Sequence, residues 1–176
     1  NVDFALYRRR LENYDYDIAR NGEAWLLERL RPLRPKVVFD VGANVGDWSA
    51  YAATAFPDAA IHAFEPVPDT HRALARSAAS FAGRLKANAF GLSDRDGSLS
   101  LRVMEDDSTL SSVVALHEGQ GRNIDCAMRS GDAYMAEQGI DRIDLLKIDV
   151  EGAEHLVLQG LAGALAGGRI GVIQFE

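Results

Sequence analysis

The run Val37-Val38-Phe39-Asp40-Val41-Gly42-Ala43-Asn44-Val45-Gly46-Asp47-Trp48 admits few folds. Lys36 to Val41 is short, β-branched and aromatic, bounded by Pro35 and Gly42, and this predicts a buried strand. Gly42 and Gly46 bracket a turn in which a side chain would obstruct close backbone approach. Beyond Gly46, the apolar residues Trp48, Ala52, Ala55 and Phe56 recur at helical spacing. Strand, turn and helix together bring a helix N-terminus to the carboxyl end of a strand. Free N–H groups and the positive end of the helix dipole favour an anion there.

Asp40 narrows the ligand. It lies two residues before the first glycine, where a carboxylate would repel a pyrophosphate but suit an ammonium group. The spacing G-x-x-x-G, with Ala43 and Asn44 inside it, departs from the dinucleotide pattern G-x-G-x-x-G. A ligand carrying both an ammonium and a carboxylate fits best, with the amine to Asp40 and the carboxylate to the helix end. S-adenosylmethionine has both on its methionine end.

At 176 residues the chain is long enough for one domain with a real core. Its 47% apolar and 26% charged residues are those of a soluble globular protein. No run approaches a membrane span and no signal segment opens the chain, although it begins at Asn1 rather than Met. The single Cys126 rules out an internal disulfide framework and fits a cytoplasmic setting. A net charge of -7 argues against nucleic acid as a partner, since phosphate binding needs a basic footprint. The cluster Arg8-Arg9-Arg10, followed by Glu12 and Asp15, reads as a solvated helix face.

Residues 1–35 read as a helical preface. Phe4, Tyr7, Leu11 and Tyr14 suggest a first helix; Asn21 would cap a second, with Trp25, Leu26 and Leu30 on its buried side. The prolines of Arg31-Pro32-Leu33-Arg34-Pro35 end it. Residues 36–176 form the ligand-binding domain. Ala60 to Phe64 is a second strand ending at Glu65, before Pro66, and Asp69 or Thr70 starts the next helix. An acid at that strand end suits the vicinal diol of a ribose. Arg84 to Leu92 reads as one third strand, Ser93 to Gly97 as a turn, and Ser98 to Met104 as pairing with Asn123 to Met128 in a hairpin. Glu105 to Arg122, polar and containing His117, reads as a lid or substrate loop. Ala133 to Gln138 is a short helix, Ile143 to Ile148 a buried strand ending at Asp149, Glu151 to His155 the opening of another helix, and Ile170 to Phe175 the last strand.

Alternating strands and helices of this kind make a doubly wound, mostly parallel, Rossmann-like α/β sheet. Ligands bind outside the carboxyl ends of its strands, where Asp40, Glu65, Asp149 and Glu176 are expected.

Four blocks then resemble a known family: Phe39 to Gly46, Phe64-Glu65-Pro66, Leu92-Ser93-Asp94, and Leu146 to Glu154. Together they are similar to the FkbM family of S-adenosylmethionine-dependent methyltransferases, from about Lys36 to the end of the chain. The resemblance implies a class I methyltransferase fold and methylation of a hydroxyl on a small natural-product or sugar-like acceptor. It also implies cofactor contacts from Asp40, Gly42, Ala43, Asn44, Gly46, Glu65 and Pro66, from Ser93 and Asp94 near adenine, and from Asp149 near the transferred methyl. The family fold has two further antiparallel strands after Phe175, so C-terminal strands are expected to be missing here. That leaves an apolar edge at Ile170 to Phe175, a route to a homo-oligomer.

Methyl transfer requires alignment of nucleophile, methyl and sulfur, and removal of a proton. Asp149 is the first candidate to orient or deprotonate the acceptor, with Glu151, Glu154 and His155 behind it and His117 a further base. No His/Cys cluster has metal-ligand spacing. Two rival readings share the sheet: an NAD-dependent oxidoreductase, against which Asp40 and the missing middle glycine count, and a non-catalytic domain that retains a cofactor pocket.

Overall fold

The computed structural model describes residues 17–104, 111–112 and 121–175. The expected helix from Phe4 to Tyr14, most of the expected lid with His117, and Glu176 lie outside the described residues.

The five strands that carry the ligand edge form one wholly parallel sheet. β1 (Val37–Val41) and β2 (Ala60–Phe64) pair in register, and β3 (Leu85–Asn88) continues outward from β2. On the other side of β1 lie two strands from late in the chain. Labelling the remaining strands in chain order, β4 is Gly91–Ser93, β5 Gly97–Met104, β6 Ser111–Ser112, β7 Gly121–Ser130, β8 Ile143–Ile148 and β9 Ile170–Phe175. The order across the main sheet is β3-β2-β1-β8-β9. A smaller sheet, β4-β7-β5-β6, holds the expected hairpin, with Gly97–Met104 antiparallel to Gly121–Ser130.

Helices cover both faces of the main sheet. α1 (Glu23–Leu30), α2 (Asp47–Ala55) and α3 (Pro68–Ala78) pack Leu27, Trp48, Ala52 and Leu74 against Val38, Ile61 and Leu145. On the opposite face α4 (Gly131–Gln138), α5 (Glu154–Gly160) and α6 (Ala162–Ala166) pack Tyr134, Met135, Val157 and Ala164 against Phe39, Phe64 and Leu146. Covered on both faces, β1, β2 and β8 are apolar along most of their length. No helix among the described residues is long and apolar enough to cross a membrane.

Five expectations are corrected. The run from Arg84 to Leu92 is two strands, β3 and β4, in different sheets. The break follows Asn88, whose side-chain amide donates to Ala63 O (3.0 Å) and turns the chain out of the parallel ladder. Trp25 is 63% exposed, with the Arg29 guanidinium over its ring, while Ala24 and the fully buried Leu27 face the sheet. α3 begins at Pro68, whose fixed φ suits the first helical turn. The helix after Asp149 begins at Glu154, because Glu151 (φ 50°) and Gly152 (φ 99°) take left-handed conformations in a turn before it. The N-cap of α1 is Gly22 rather than the expected Asn21, which stands one residue earlier and accepts the Glu23 N–H at 3.0 Å through its side-chain oxygen.

Gly160 locks α5 onto β4. A Cβ there would lie 1.9 Å from the Ser93 carbonyl oxygen, a backbone atom that cannot swing aside. Gly160→Ala is therefore expected to cost about 2–3 kcal/mol, read as a fall in melting temperature, against the small gain in helix propensity. An unchanged or raised melting temperature would show that the two elements separate at no cost.

Candidate functional site

The strand order reverses between β1 and β8, so the crevice outside their carboxyl ends is the topological switch point. Chain geometry closes this crevice from below. The Asp149 N–H donates to Val41 O (2.9 Å), tying the two strand ends together. Gly42 (φ 83°) passes so close that a Cβ would lie 1.8 Å from Asp149 O. Only glycine fits, in conformation and in space.

The turn leans toward β2. The N–H groups of Gly42 and Ala43 both donate to Phe64 O at 3.0 Å. The Asn44 N–H (φ 48°) donates to the Glu65 carboxylate at 3.0 Å, and the Val67 N–H donates to its other oxygen at 2.9 Å. Glu65 thus organises two loops at once, the Gly42–Gly46 turn and the Pro66 turn into α3. A carboxylate offers about four acceptor positions, so two remain for a ligand. Burial pushes Glu65 up to about 7, although both backbone N–H bonds pull it down. Gly46 (φ 96°) ends the turn, buried against the Leu74 side chain.

Asp40 is buried at 0% exposure, beneath the turn rather than on it. Ser49 Oγ of α2 donates to its Oδ2 at 2.6 Å. Register places Lys147 beside it on β8, with Nζ 3.8 Å from Oδ1. Among the described residues no hydrogen bond reaches Asp40 Oδ1; Nζ donates instead to Asp149 Oδ2 at 3.0 Å, so one cation stands between a buried acid and the acid at the rim. Burial pushes Asp40 up; Lys147 and Ser49 oppose it. Burial likewise pulls Lys147 down, but the fields of Asp40 and Asp149 outweigh it and hold the lysine above its ordinary value.

Sequence reading missed Lys147 and Ser49. The signal was present: Lys147 shares a face with Leu145 on a strand buried on both faces, so its charge had to meet a partner in the core. The remaining predicted residues scatter. Ser93 is buried and donates to Asp94 at 3.2 Å, closing the β4 turn. Glu151 and His155 are exposed, while Glu154 accepts the Gly152 N–H at 3.1 Å and caps the turn after Asp149. The carboxyl-edge set is thus the Gly42–Gly46 turn, Glu65 and Asp149, with Asp40 and Lys147 below. Among the described residues no group of three or more His, Cys, Asp or Glu could hold a metal ion.

Comparisons with known proteins bear on the family and the fold. The Methyltransferase FkbM domain model matches residues 40–176. AMB antimetabolite synthetase AmbE of Pseudomonas aeruginosa is 32% identical over 163 residues, covering 73% of this chain and 8% of AmbE. The 31-O-demethyl-FK506 methyltransferase FkbM of Streptomyces tacrolimicus is 30% identical over 161 residues, covering 75% of this chain and 62% of that enzyme. The chain therefore spans less than two thirds of either relative. A crystal structure of methyltransferase FkbM from Methylobacillus flagellatus KT superposes with a TM-score of 0.52 at 18% identity, over 76% of this chain and 31% of that one, and bears on the fold alone. With the domain match running from Asp40 to the last residue, the chain belongs to the FkbM methyltransferase family.

Proposed function

We propose that this chain binds S-adenosylmethionine and transfers its methyl group to a hydroxyl of a small natural-product or sugar-like acceptor. The observation that carries this reading is the meeting of the Gly42–Gly46 turn, Glu65 and Asp149 outside adjacent strand ends. The residues present suit the cofactor. Glu65 retains acceptor positions for a ribose diol, and Asp149, with 31% of its side chain exposed, offers a carboxylate to a cationic group. Ser93 and Asp94, at the end of β4 in the smaller sheet, suit the adenine end. The Streptomyces relative is by its name an O-methylating enzyme, which supports a hydroxyl acceptor.

S-adenosylmethionine supplies, when bound, a methyl group activated by a sulfonium. The protein's share is alignment and proton removal. Asp149 is held through one oxygen by Lys147 and keeps the other at the rim, where it orients the acceptor hydroxyl beside the ligand's cationic end. Glu151 and His155, both exposed in or just beyond the turn that follows Asp149, rank behind it.

Titration calorimetry with S-adenosylmethionine and, separately, with NAD tests this. Heat with the sulfonium ligand and none with NAD is expected, followed by methyl transfer in a screen of hydroxylated acceptors. Binding of NAD alone would overturn the reading. Tight cofactor binding with no turnover on any acceptor would favour a non-catalytic domain.

A further inference from the structure

The row across the main sheet at the level of Asp40 is unusual. On one face, neighbouring strands present Asp40, Lys147 and Gln174 in register. Gln174 Nε2 donates at 2.9 Å to Glu23 at the start of α1, and Ser49 of α2 bonds Asp40. The layer is otherwise apolar, with Val38, Leu145 and Trp48 next to this strip. A polar strip in such a place is stable only if its charges are matched internally.

The matching has a direction. Lys147, 9% exposed in its side chain, stands between a fully buried acid and a partly exposed one. Its Nζ also lies 5.7 Å from the centre of the Trp48 ring, which closes the remaining side. A ligand's ammonium group would meet Asp149 first, while Asp40 already has a cation from the protein itself.

We infer that Lys147 is a positioning residue: it neutralises Asp40 from within and fixes Asp149 by one oxygen, making Asp149 the acid that meets the cationic end of the ligand. Asp40 then acts through Lys147 and not by direct contact. The geometry stands by itself; the identity of the ligand rests on the S-adenosylmethionine reading above. The charged groups facing Lys147 are Asp40, Asp149 and, at longer range, Glu23; Glu65 feels Asp40 in turn.

Two measurements on the full chain separate the possibilities. In Lys147→Met, Asp40 has no counterion, and burial then favours its protonated form. Calorimetric titration of this variant with S-adenosylmethionine, in two buffers of different ionisation enthalpy, counts the protons exchanged on binding. Weakened binding, about three- to thirtyfold, with no more proton release than the wild type shows is expected, because the ligand does not touch Asp40. Release of about one proton beyond the wild type's would mean that the ligand's ammonium forces Asp40 to ionise, and would overturn the inference. Asp149→Asn should weaken binding at least as much as Asp40→Asn; the reverse order would also overturn it.

The second measurement needs no ligand. Relative to the wild type, Lys147→Met should lose melting temperature as pH rises from 5 to 8, and adding Asp40→Asn should abolish that loss. Parallel melting curves would overturn the pairing. Failure of the wild type to bind S-adenosylmethionine would overturn the ligand reading, and with it the role of Asp149, while the melting comparison would still decide whether Lys147 is the counterion of Asp40.

Discussion

Gly42→Ala is expected to remove cofactor binding and lower the melting temperature by roughly 10 °C. Two separate costs combine. Alanine at φ 83° is strained by about 1–2 kcal/mol, since its Cβ crowds the neighbouring carbonyl in left-handed backbone. Its Cβ would also stand 1.8 Å from Asp149 O, and both partners are backbone. Relief requires the ends of β1 and β8 to part, at a further cost of about 1–3 kcal/mol. Parting them moves Asp149 away from the turn that it must face, so the functional loss should exceed what partial unfolding explains. Thermal melts beside titration with S-adenosylmethionine check both halves. A folded Gly42→Ala variant with unaltered affinity would show that the cleft does not depend on this contact.

The parts of the fold that were legible in the sequence are those where a local signal and its tertiary setting agree. β1 and β2 are short β-branched or apolar runs bounded by proline, glycine or acid, and their observed limits match the predicted runs to within a residue. The hairpin of β5 and β7 shows the alternation of a sheet exposed on one face. Legibility failed where two local solutions were equally good. Trp25, Leu26 and Leu30 fit one helical face, and Ala24, Leu27 and Leu30 fit another almost as well; only packing on α2 and the sheet selects the second. Arg84 to Leu92 reads as one run because nothing local reveals that Asn88 serves Ala63 on the neighbouring strand. Similarly, the two acids flanking Gly152 look like a helical first turn, yet Glu151 takes a left-handed conformation and Glu154 caps the turn.

The site divides along the same line. Glycines that approach backbone and acids at strand ends are visible in the sequence because their positions follow from strand and turn alone. The union of Asp40 with Lys147 depends on which strand lies beside β1, and β8 arrives there from more than a hundred residues away in the chain. Sequence can state that a lysine on a doubly covered strand needs an acid. Topology decides which one.

Glu65 should give cofactor affinity and fold stability opposite slopes against pH. Its ordinary value is 4.5, and burial raises it to about 7 in the folded chain. Below about pH 4.5 both folded and unfolded chains hold the proton and the residue contributes no difference. Between there and about 7 the unfolded chain ionises while the folded one still holds its proton, so stability declines as pH rises, by about 3 kcal/mol in all. Binding runs the other way. A ribose diol donates hydrogen bonds, which an ionised carboxylate receives better than an acid that keeps one oxygen protonated. Affinity for S-adenosylmethionine should therefore climb through pH 6 to 8, by up to about tenfold per unit below 7. Glu65→Gln should flatten both slopes, and it should lose some stability throughout, since one amide oxygen cannot accept from both Asn44 and Val67. Melting curves and calorimetric titrations across that range measure the two together. An affinity slope that survives in Glu65→Gln would assign the diol to another group, whereas loss of the stability slope alone would leave Glu65 as a loop organiser and nothing more. Opposed slopes that vanish together have one physical source: the ionisation that costs the empty fold its stability is the one that the ligand requires.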